Sequence, residues 1–419
     1  MQRMGSLIPI IILVCVLLLI AVRKVGGIHL RIWQIMVAGA LAVLILGQIS
    51  PAAALASINI EIMLFLFGMF VIGEALLRSG YLFHLAHGIF RRARSPRRLI
   101  LLVIVASGAL SALLMNDTLA IIATPLMLYY STRFGISEKV LLLALAFGIT
   151  TGSVASPTGN PQNLLIALGG DVANPFITFF VSLAVPTLLC LMMAYLLLIV
   201  RYGGELRDMP LVFVREEISD TRLALLSRIS LLLLGAMIGI KVLSVLLGTG
   251  PDLPLTYIAL IGALPVLVGS KRRLEVVKSI DWTTLVFFAA LFILMGSVWQ
   301  SGIFEPLVTE APVDFTSIPV ILASGVLVSQ LVSNVPFVAL YLPLLTHAGS
   351  STAQMMALAA GSTIAGNMLI MGAASNVIII QNAEKQGATL TFREFAEVGV
   401  PLTVLQAILY WVFLAVIPW

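Results

Sequence analysis

The sequence predicts an all-α polytopic membrane protein built as two inverted-topology repeats, with re-entrant hairpins and broken helices at the midplane. Three observations predict it. Of 419 residues, 60% are hydrophobic and 10% charged, with a mean hydropathy of +1.11; a soluble domain carries roughly 25% charged residues. Lys and Arg fall in clusters, separated by connections that contain neither. A series of short matches recurs in order along the chain, at an offset drifting between about 213 and 223. A chain this apolar cannot cover its surface in water, which excludes a soluble enzyme, a nucleic-acid binder and a disordered protein. At roughly 20 residues per span there is room for about ten to twelve spans. The net charge of +5 is accounted for by basic cytoplasmic loops. Cys15 and Cys190 sit inside apolar runs and suggest neither a disulfide framework nor a zinc site.

Uninterrupted apolar runs predict helices near 6–22, 33–49, 59–78, 175–200, 229–249, 255–270, 282–300 and 396–417. The first is too long, and lacks the small-residue cleavage site, for a signal peptide. Regions 99–130, 138–168 and 318–384 are apolar but interrupted by polar residues. Basic clusters occur at Arg23–Arg31, Arg91–Arg98, Arg133–Lys139, Arg201–Arg228, Lys271–Lys278 and Lys385–Arg393. All fall on the cytoplasmic side if 99–130 and 318–347 are re-entrant hairpins and both termini are outside, in a cytoplasmic (inner) membrane. Trp33, Trp282, Trp299 and Trp419 then fall near interfaces, as anchors do.

The matches include Ser57-Ile58-Asn59 with Ser279-Ile280-Asp281, Ser111, Asn116 and Pro125 with Ser329, Asn334 and Pro343, Gly148 and Asn163 with Gly361 and Asn376, and Val185-Pro186 with Val400-Pro401. They define a first repeat over 1–200 (hairpin 99–130, broken helix 138–168), a charged cytoplasmic linker over 201–228, and a second repeat over 229–419 (hairpin 318–347, broken helix 353–384). The first begins outside and the second inside, so the repeat is inverted, a pattern characteristic of secondary transporters. No Gly-x-x-x-x-Gly-Lys-Ser/Thr loop is present, so the chain is not itself an ATPase.

Four polar breaks carry the candidate chemistry: Asn116-Asp117-Thr118; Thr151 and Ser153 followed by Thr158-Gly159-Asn160 and Asn163; Ser333-Asn334; and Thr363 followed by Ser375-Asn376. Open backbone in hydrocarbon survives where protein or a wet cavity satisfies it. The half-helix N-termini created there can face an anion, and the freed carbonyls a cation. Paired breaks predict a central site flanked by two pseudo-equivalent ion sites. Isolated Gly, Pro and Asn would instead mark loops, and Ser and Thr can simply join helices. A carboxylate at membrane depth suggests a proton relay or ion site, and in a dry setting Asp117 could take up the proton. Its repeat partner is Val335. Asp117 could also cap the second hairpin helix from Thr118 onward.

The remaining charges are assigned structural places. Glu61 lies near the outer end of its span, and Glu74 and Lys241 pair or snorkel. Glu305, Glu310 and Asp314 form a solvated outer face, 81–98 is an interfacial amphipathic helix carrying His84 and His87, and His29 and His347 lie in loops. No nucleophile triad or metal-ligand spacing stands out.

These motifs resemble the ion transporter superfamily, which includes arsenical-pump membrane proteins (ArsB), NhaD-type antiporters and divalent anion:sodium symporters. Asn116 precedes Pro125 by nine residues and Asn334 precedes Pro343 by nine, as in the symporters' hairpin tips. Gly159-Asn160-Pro161-Gln162-Asn163 is similar to their Gly-x-Pro-x-Asn break, which the second copy reduces to Ser375-Asn376. The tips read Met115-Asn116-Asp117 and Ser333-Asn334-Val335; Asn-Asp is similar to the arsenical-pump and related anion-permease branch, and the sodium-binding Thr of the symporters is missing from both. The resemblance implies about ten transmembrane segments plus two hairpins, divided into scaffold and transport domains, with an elevator-type motion and a homodimer as in relatives. It implies no enzyme activity and no cofactor beyond a coupling proton or sodium ion.

The expected activity is secondary transport of a small inorganic oxyanion or metalloid, arsenite or antimonite leaving in exchange for protons. Sodium-coupled uptake of a dicarboxylate or sulfate, sodium/proton antiport, and a channel docked by a cytoplasmic ATPase on linker 201–228 are the alternatives. Neither nucleic acid nor a metal cofactor is expected.

Overall fold

The computed structural model describes residues 6–22, 24–25, 28–29, 31–206, 211, 220–248, 253–302 and 314–416. Glu305, Glu310, Trp419, Arg23 and residues 207–210 and 212–219 of the linker lie outside them. Apart from a two-residue antiparallel pair, Lys24–Val25 with Ile28–His29, the regular structure among these residues is helical. Among the described residues, seven helices are both long and apolar enough to cross a membrane, and several shorter apolar ones accompany them.

The expected spans appear as α1 (Ile8–Val22), α2 (Ile32–Ile45), the short α3 (Pro51–Ser57) and α4 (Ile60–Ser79). Asn59 caps α4, its side-chain carbonyl accepting from the Ile62 amide at 3.1 Å, and Gly80 ends it at φ 71°, a conformation that suits glycine. The amphipathic stretch is helical only as α5 (Tyr81–Phe90), because Ser95-Pro96 opens a new helix. The first interrupted region is α6 (Pro96–Leu113) and α7 (Asn116–Phe134), turning at Leu114-Met115. The second is α8 (Glu138–Gly152), a tight turn over Ser153–Ala155, and α9 (Pro161–Gly169). α10 (Pro175–Tyr202) closes the first half.

The second half opens with α11 (Thr221–Leu246), which starts eight residues before the apolar run because Asp220 caps it, accepting from the Leu223 amide at 2.9 Å. α12 (Leu255–Gly269), α13 (Arg273–Ser279) and α14 (Trp282–Gln300) follow. The second hairpin is α15 (Ile318–Val332) and α16 (Asn334–His347); the second broken helix is α17 (Thr352–Met368), a turn over Ile370–Gly372, and α18 (Ala374–Glu384); α19 (Phe392–Val416) ends the chain. His347, expected in a loop, completes α16, where its ring stacks on Trp299 at 5.1 Å between centroids.

Two apolar clusters organise the packing. The smaller joins α1, α2, α3 and α14 through Leu13, Met36, Val43, Ala54, Leu291 and Leu294. The larger holds the remaining helices together around residues such as Phe65, Phe147, Phe179 and Phe395. Glycines set the closest crossings. A Cβ on Gly152 would lie 2.2 Å from the Gly108 Cα, so α6 and α8 touch through backbone; Gly325 meets Gly361 between α15 and α17 in the same way, at 2.9 Å.

Ion pairs fall into two separate groups among the described residues. Arg78 pairs with Glu74 (2.6 Å) and Glu275 (3.8 Å) and reaches Ser279 Oγ (2.5 Å), while Arg272 pairs with Glu275 (2.9 Å) and Asp220 (3.6 Å), tying α4, α11 and α13 at one end. Lys139 with Glu394, and Glu397 with Arg201 (2.9 Å) and Arg393 (3.1 Å), tie α8, α10 and α19. Lys241, in α11, is buried and donates to the Leu253 carbonyl at 2.8 Å.

Candidate functional site

The breaks in the two halves interlace. α7 of the first hairpin packs along α18 of the second broken helix, and α16 of the second hairpin along α9 of the first. α8 and α17, the long arms of the broken helices, lie against each other.

Where they meet, the first break folds into a closed polar knot. Asn160 caps α9, its side-chain carbonyl accepting from the Asn163 amide at 2.8 Å. Its side-chain nitrogen donates to Ser153 Oγ (3.0 Å) and Thr363 Oγ1 (3.2 Å). Asn163 Nδ2 lies within 3.2 Å of the carbonyls of Ser153, Val154 and Ser156, freed where α8 ends. Asn163 Oδ1 accepts from the Thr363 hydroxyl at 3.2 Å. Buried amides in a low-dielectric setting demand such pairing, and here the amide side chains replace the missing helix bonds.

The first hairpin is fastened to this knot. Its Asn116 amide donates to the Gly159 carbonyl (3.0 Å), Ser111 Oγ to the Ile149 carbonyl (2.8 Å), and Thr158 Oγ1 to the Ala112 carbonyl (3.2 Å). A Cβ on Gly159 would come within 2.9 Å of the Ser111 and Ser153 carbonyls, so the loop there requires glycine. Asp117 sits in the first turn of α7 and does not cap it; Met115 holds that position, and the Asp117 amide donates to the Asn116 side-chain carbonyl at 2.9 Å. The Asp117 carboxyl has no hydrogen-bond or ion-pair partner among the described residues. Thr118 is seated in a notch of α4, where a Cβ on Gly73 would lie 2.6 Å from its methyl group.

The second break is different. Asn376 Nδ2 donates to the Gly366 carbonyl (2.5 Å), but Asn376 Oδ1, Ser375 Oγ and Asn334 Oδ1 are buried without partners. Ser333, at the second tip, has φ 72° and ψ 159°, a region that belongs almost wholly to glycine.

Of the residues expected at the site, Ser153, Asn160, Asn163 and Thr363 meet in the knot, with Thr158, Gly159 and Asn116 attached to it. Asp117 and Thr118 flank it on α7. Asn334 at the second tip and Ser375 and Asn376 at the second break keep unpartnered buried oxygens, and Ser333 is the strained residue beside Asn334. Thr151 points elsewhere: its Oγ1 accepts from Asn367 Nδ2 (2.9 Å) and Gln406 Nε2 (3.0 Å), while Asn367 also donates to Gln406 Oε1 (2.9 Å). This buried triad joins α8, α17 and α19. Asn367 and Gln406 escaped notice in the sequence, although a glutamine in the middle of the apolar run 396–417 is the signal that marks it. Gln330, which bonds across to α17, was missed as well.

A helical bundle with paired hairpins and interlaced broken helices has counterparts. The YdaH transporter of Alcanivorax borkumensis superposes with a TM-score of 0.57 over 98% of this chain and 97% of its own, at 16% identity, which is a likeness of fold. The family model described as CitMHS, citrate transporter, matches residues 15–354. The chain belongs to the CitMHS family. It is a multi-pass membrane transporter, not an enzyme. Rv2684 of Mycobacterium tuberculosis, described as an uncharacterized transporter, is 28% identical over 98% of each chain. The rice silicon efflux transporter LSI3 is 26% identical over 87% of this chain and 88% of its own. The human P protein is 25% identical over 83% of this chain and 52% of its own. The sequence resemblance to the wider superfamily is thus borne out at the level of the citrate-transporter family.

Proposed function

We propose that this CitMHS-family chain is a secondary active transporter of a small hydroxylated metalloid acid, such as arsenite or antimonite, moved out across the cytoplasmic membrane in exchange for protons. The observation that carries the reading is the makeup of the site. It combines Asp117, a carboxyl without a partner among the described residues, with buried oxygens on Asn334, Ser375 and Asn376 that lack hydrogen-bond partners. The hairpin tips and breaks contain no Lys or Arg. Unpaired acceptors suit a solute that brings its own O–H donors, and an uncharged one needs no cationic partner. Asp117 alternates between binding a proton and releasing it. The rice relative's silicon cargo supports a hydroxylated solute. In this reading the two halves are inverted repeats, the helices tied by the Lys139 and Arg201 pairs belong to the moving unit, and both termini lie outside. The experiment is flux into proteoliposomes under an imposed pH gradient. Arsenite, antimonite or silicic acid moving with the gradient supports the proposal; no flux of any of them sinks it.

A second reading is sodium-coupled transport of a citrate-like anion. It is favoured by the family model and by four helix N-termini, those of α7, α9, α16 and α18, placed at the interlaced breaks. Uptake that depends on sodium and not on pH would select it.

A further inference from the structure

The two hairpins are held to their broken helices by unequal means. Three hydrogen bonds join the first hairpin to the first break: Ser111 to Ile149, Thr158 to Ala112, and Asn116 to Gly159. The matching positions of the second hairpin make none of them. Ser329 Oγ, which corresponds to Ser111, is buried without a partner, and Asn334 Oδ1 is unpaired as well. Among the described residues one side chain bonds across: Gln330 Nε2 donates to the Ala365 carbonyl at 2.8 Å, and to Val326 of its own helix at 2.9 Å. Gln330 corresponds to Ala112 in the first hairpin, so this link has no counterpart there. A Cβ on Gly372 would stand 2.8 Å from Gln330 Oε1, which places the amide directly against the turn that leads into Ser375 and Asn376.

Strain sits at the same place. Ser333 adopts φ 72° and ψ 159°, whereas Met115, at the cap position of α7 in the first tip, is extended at φ −61° and ψ 136°. A non-glycine residue holds such a conformation when its surroundings force it, and here few polar bonds do so. The apolar side of α16 rests on the smaller cluster through Val335, Ala339 and Leu340, a surface that permits sliding more readily than a hydrogen-bonded one.

We infer that the second hairpin tip is the mobile closure of the site, and that Gln330 is the positioning residue that seats it on the second break, while the first hairpin stays fastened to the first break and moves only with it. Breaking the Gln330 tether releases the tip, and relieving the strain at Ser333 holds it down. This asymmetry is independent of which solute is carried, so its failure would leave the transport proposal standing, and the reverse.

The test uses the full-length protein in proteoliposomes, with Cys15 and Cys190 replaced by alanine and one reporter cysteine at Val335→Cys or Met115→Cys. Gln330→Ala should raise maleimide labelling at Val335→Cys by about two- to tenfold, the range expected for one hydrogen bond, and leave Met115→Cys unchanged. Ser333→Gly should slow labelling at Val335→Cys. General loosening of the fold would instead raise both tips together, and that result overturns the inference. So does Gln330→Ala without effect. Ser333→Gly adds no side chain and keeps the test open if Gln330→Ala fails to fold; faster labelling in that variant also counts against the inference.

Discussion

Thr363 and Asn163 join the two broken helices across the centre of the protein: the Thr363 hydroxyl donates to the Asn163 side-chain carbonyl at 3.2 Å, although the residues are 200 positions apart. The same hydroxyl oxygen receives Asn160 Nδ2. One threonine on α17 therefore completes the hydrogen bonding of both asparagines of the first break.

Thr363→Val keeps the shape and removes both bonds. It leaves Asn163 Oδ1 without a donor in a buried setting, at a cost of about 1–3 kcal/mol. The melting temperature of the purified protein should fall, and Thr363→Ser should recover most of the loss. A valine variant as stable as the parent would mean that the knot contributes no net stability.

Asp117→Asn retains the size of the side chain and removes its ability to carry a proton. Because the carboxyl has no ion-pair partner among the described residues, folding should be little affected. Proton-driven flux in vesicles should drop by at least about tenfold, about 1.4 kcal/mol in the relevant step. Retention of full proton coupling removes Asp117 from the mechanism.

Gly108 and Gly152 face each other where α6 crosses α8, yet substitutions there should differ in cost. A Cβ on Gly152 meets the Gly108 backbone at 2.2 Å, far inside contact distance, whereas one on Gly108 meets the Leu191 side chain at 3.2 Å and the Gly148 carbonyl at 3.3 Å. Backbone cannot move aside as a leucine methyl can. Gly152→Ala should destabilise by about 3 kcal/mol, and Gly108→Ala by about 1 kcal/mol or less. Thermal unfolding in detergent separates the two.

Gln406→Leu cuts the buried triad with Thr151 and Asn367. Asn367 Nδ2 keeps Thr151 as an acceptor, so about 1–2 kcal/mol is lost, with transport retained because the polar side-chain ends of the triad bond to one another and not to Asp117 or the Asn160–Asn163 knot. Transport lost at unchanged stability would place Gln406 in the permeation path instead.

Much of the fold was legible in the chain. Apolar runs such as 282–300 became helices with nearly those bounds, because a helix pairs its own backbone and needs no distant partner. Boundaries moved where a local cap outweighed hydropathy, as at Asp220 before α11 and Ser95-Pro96 before α6. The polar breaks at Asn160-Pro161 and Ser375-Asn376 also declared themselves, since such residues stand out in an apolar chain and fall where its helices end.

Partnership was not legible. Asn163 and Asn376 occupy matching places in the sequence, but the first is satisfied by three carbonyls and a threonine, and the second keeps an unpaired oxygen. Thr151 stands two residues from Ser153 yet turns to α17 and α19. The sequence by itself determined that this chain crosses the bilayer, where its helices break, and that one carboxyl stands beside a hairpin asparagine, because those properties depend on composition and local order. The tertiary structure alone decided which polar groups are spent on holding the fold and which are left over, because hydrogen-bond satisfaction depends on atoms brought within about 3 Å from distant parts of the chain.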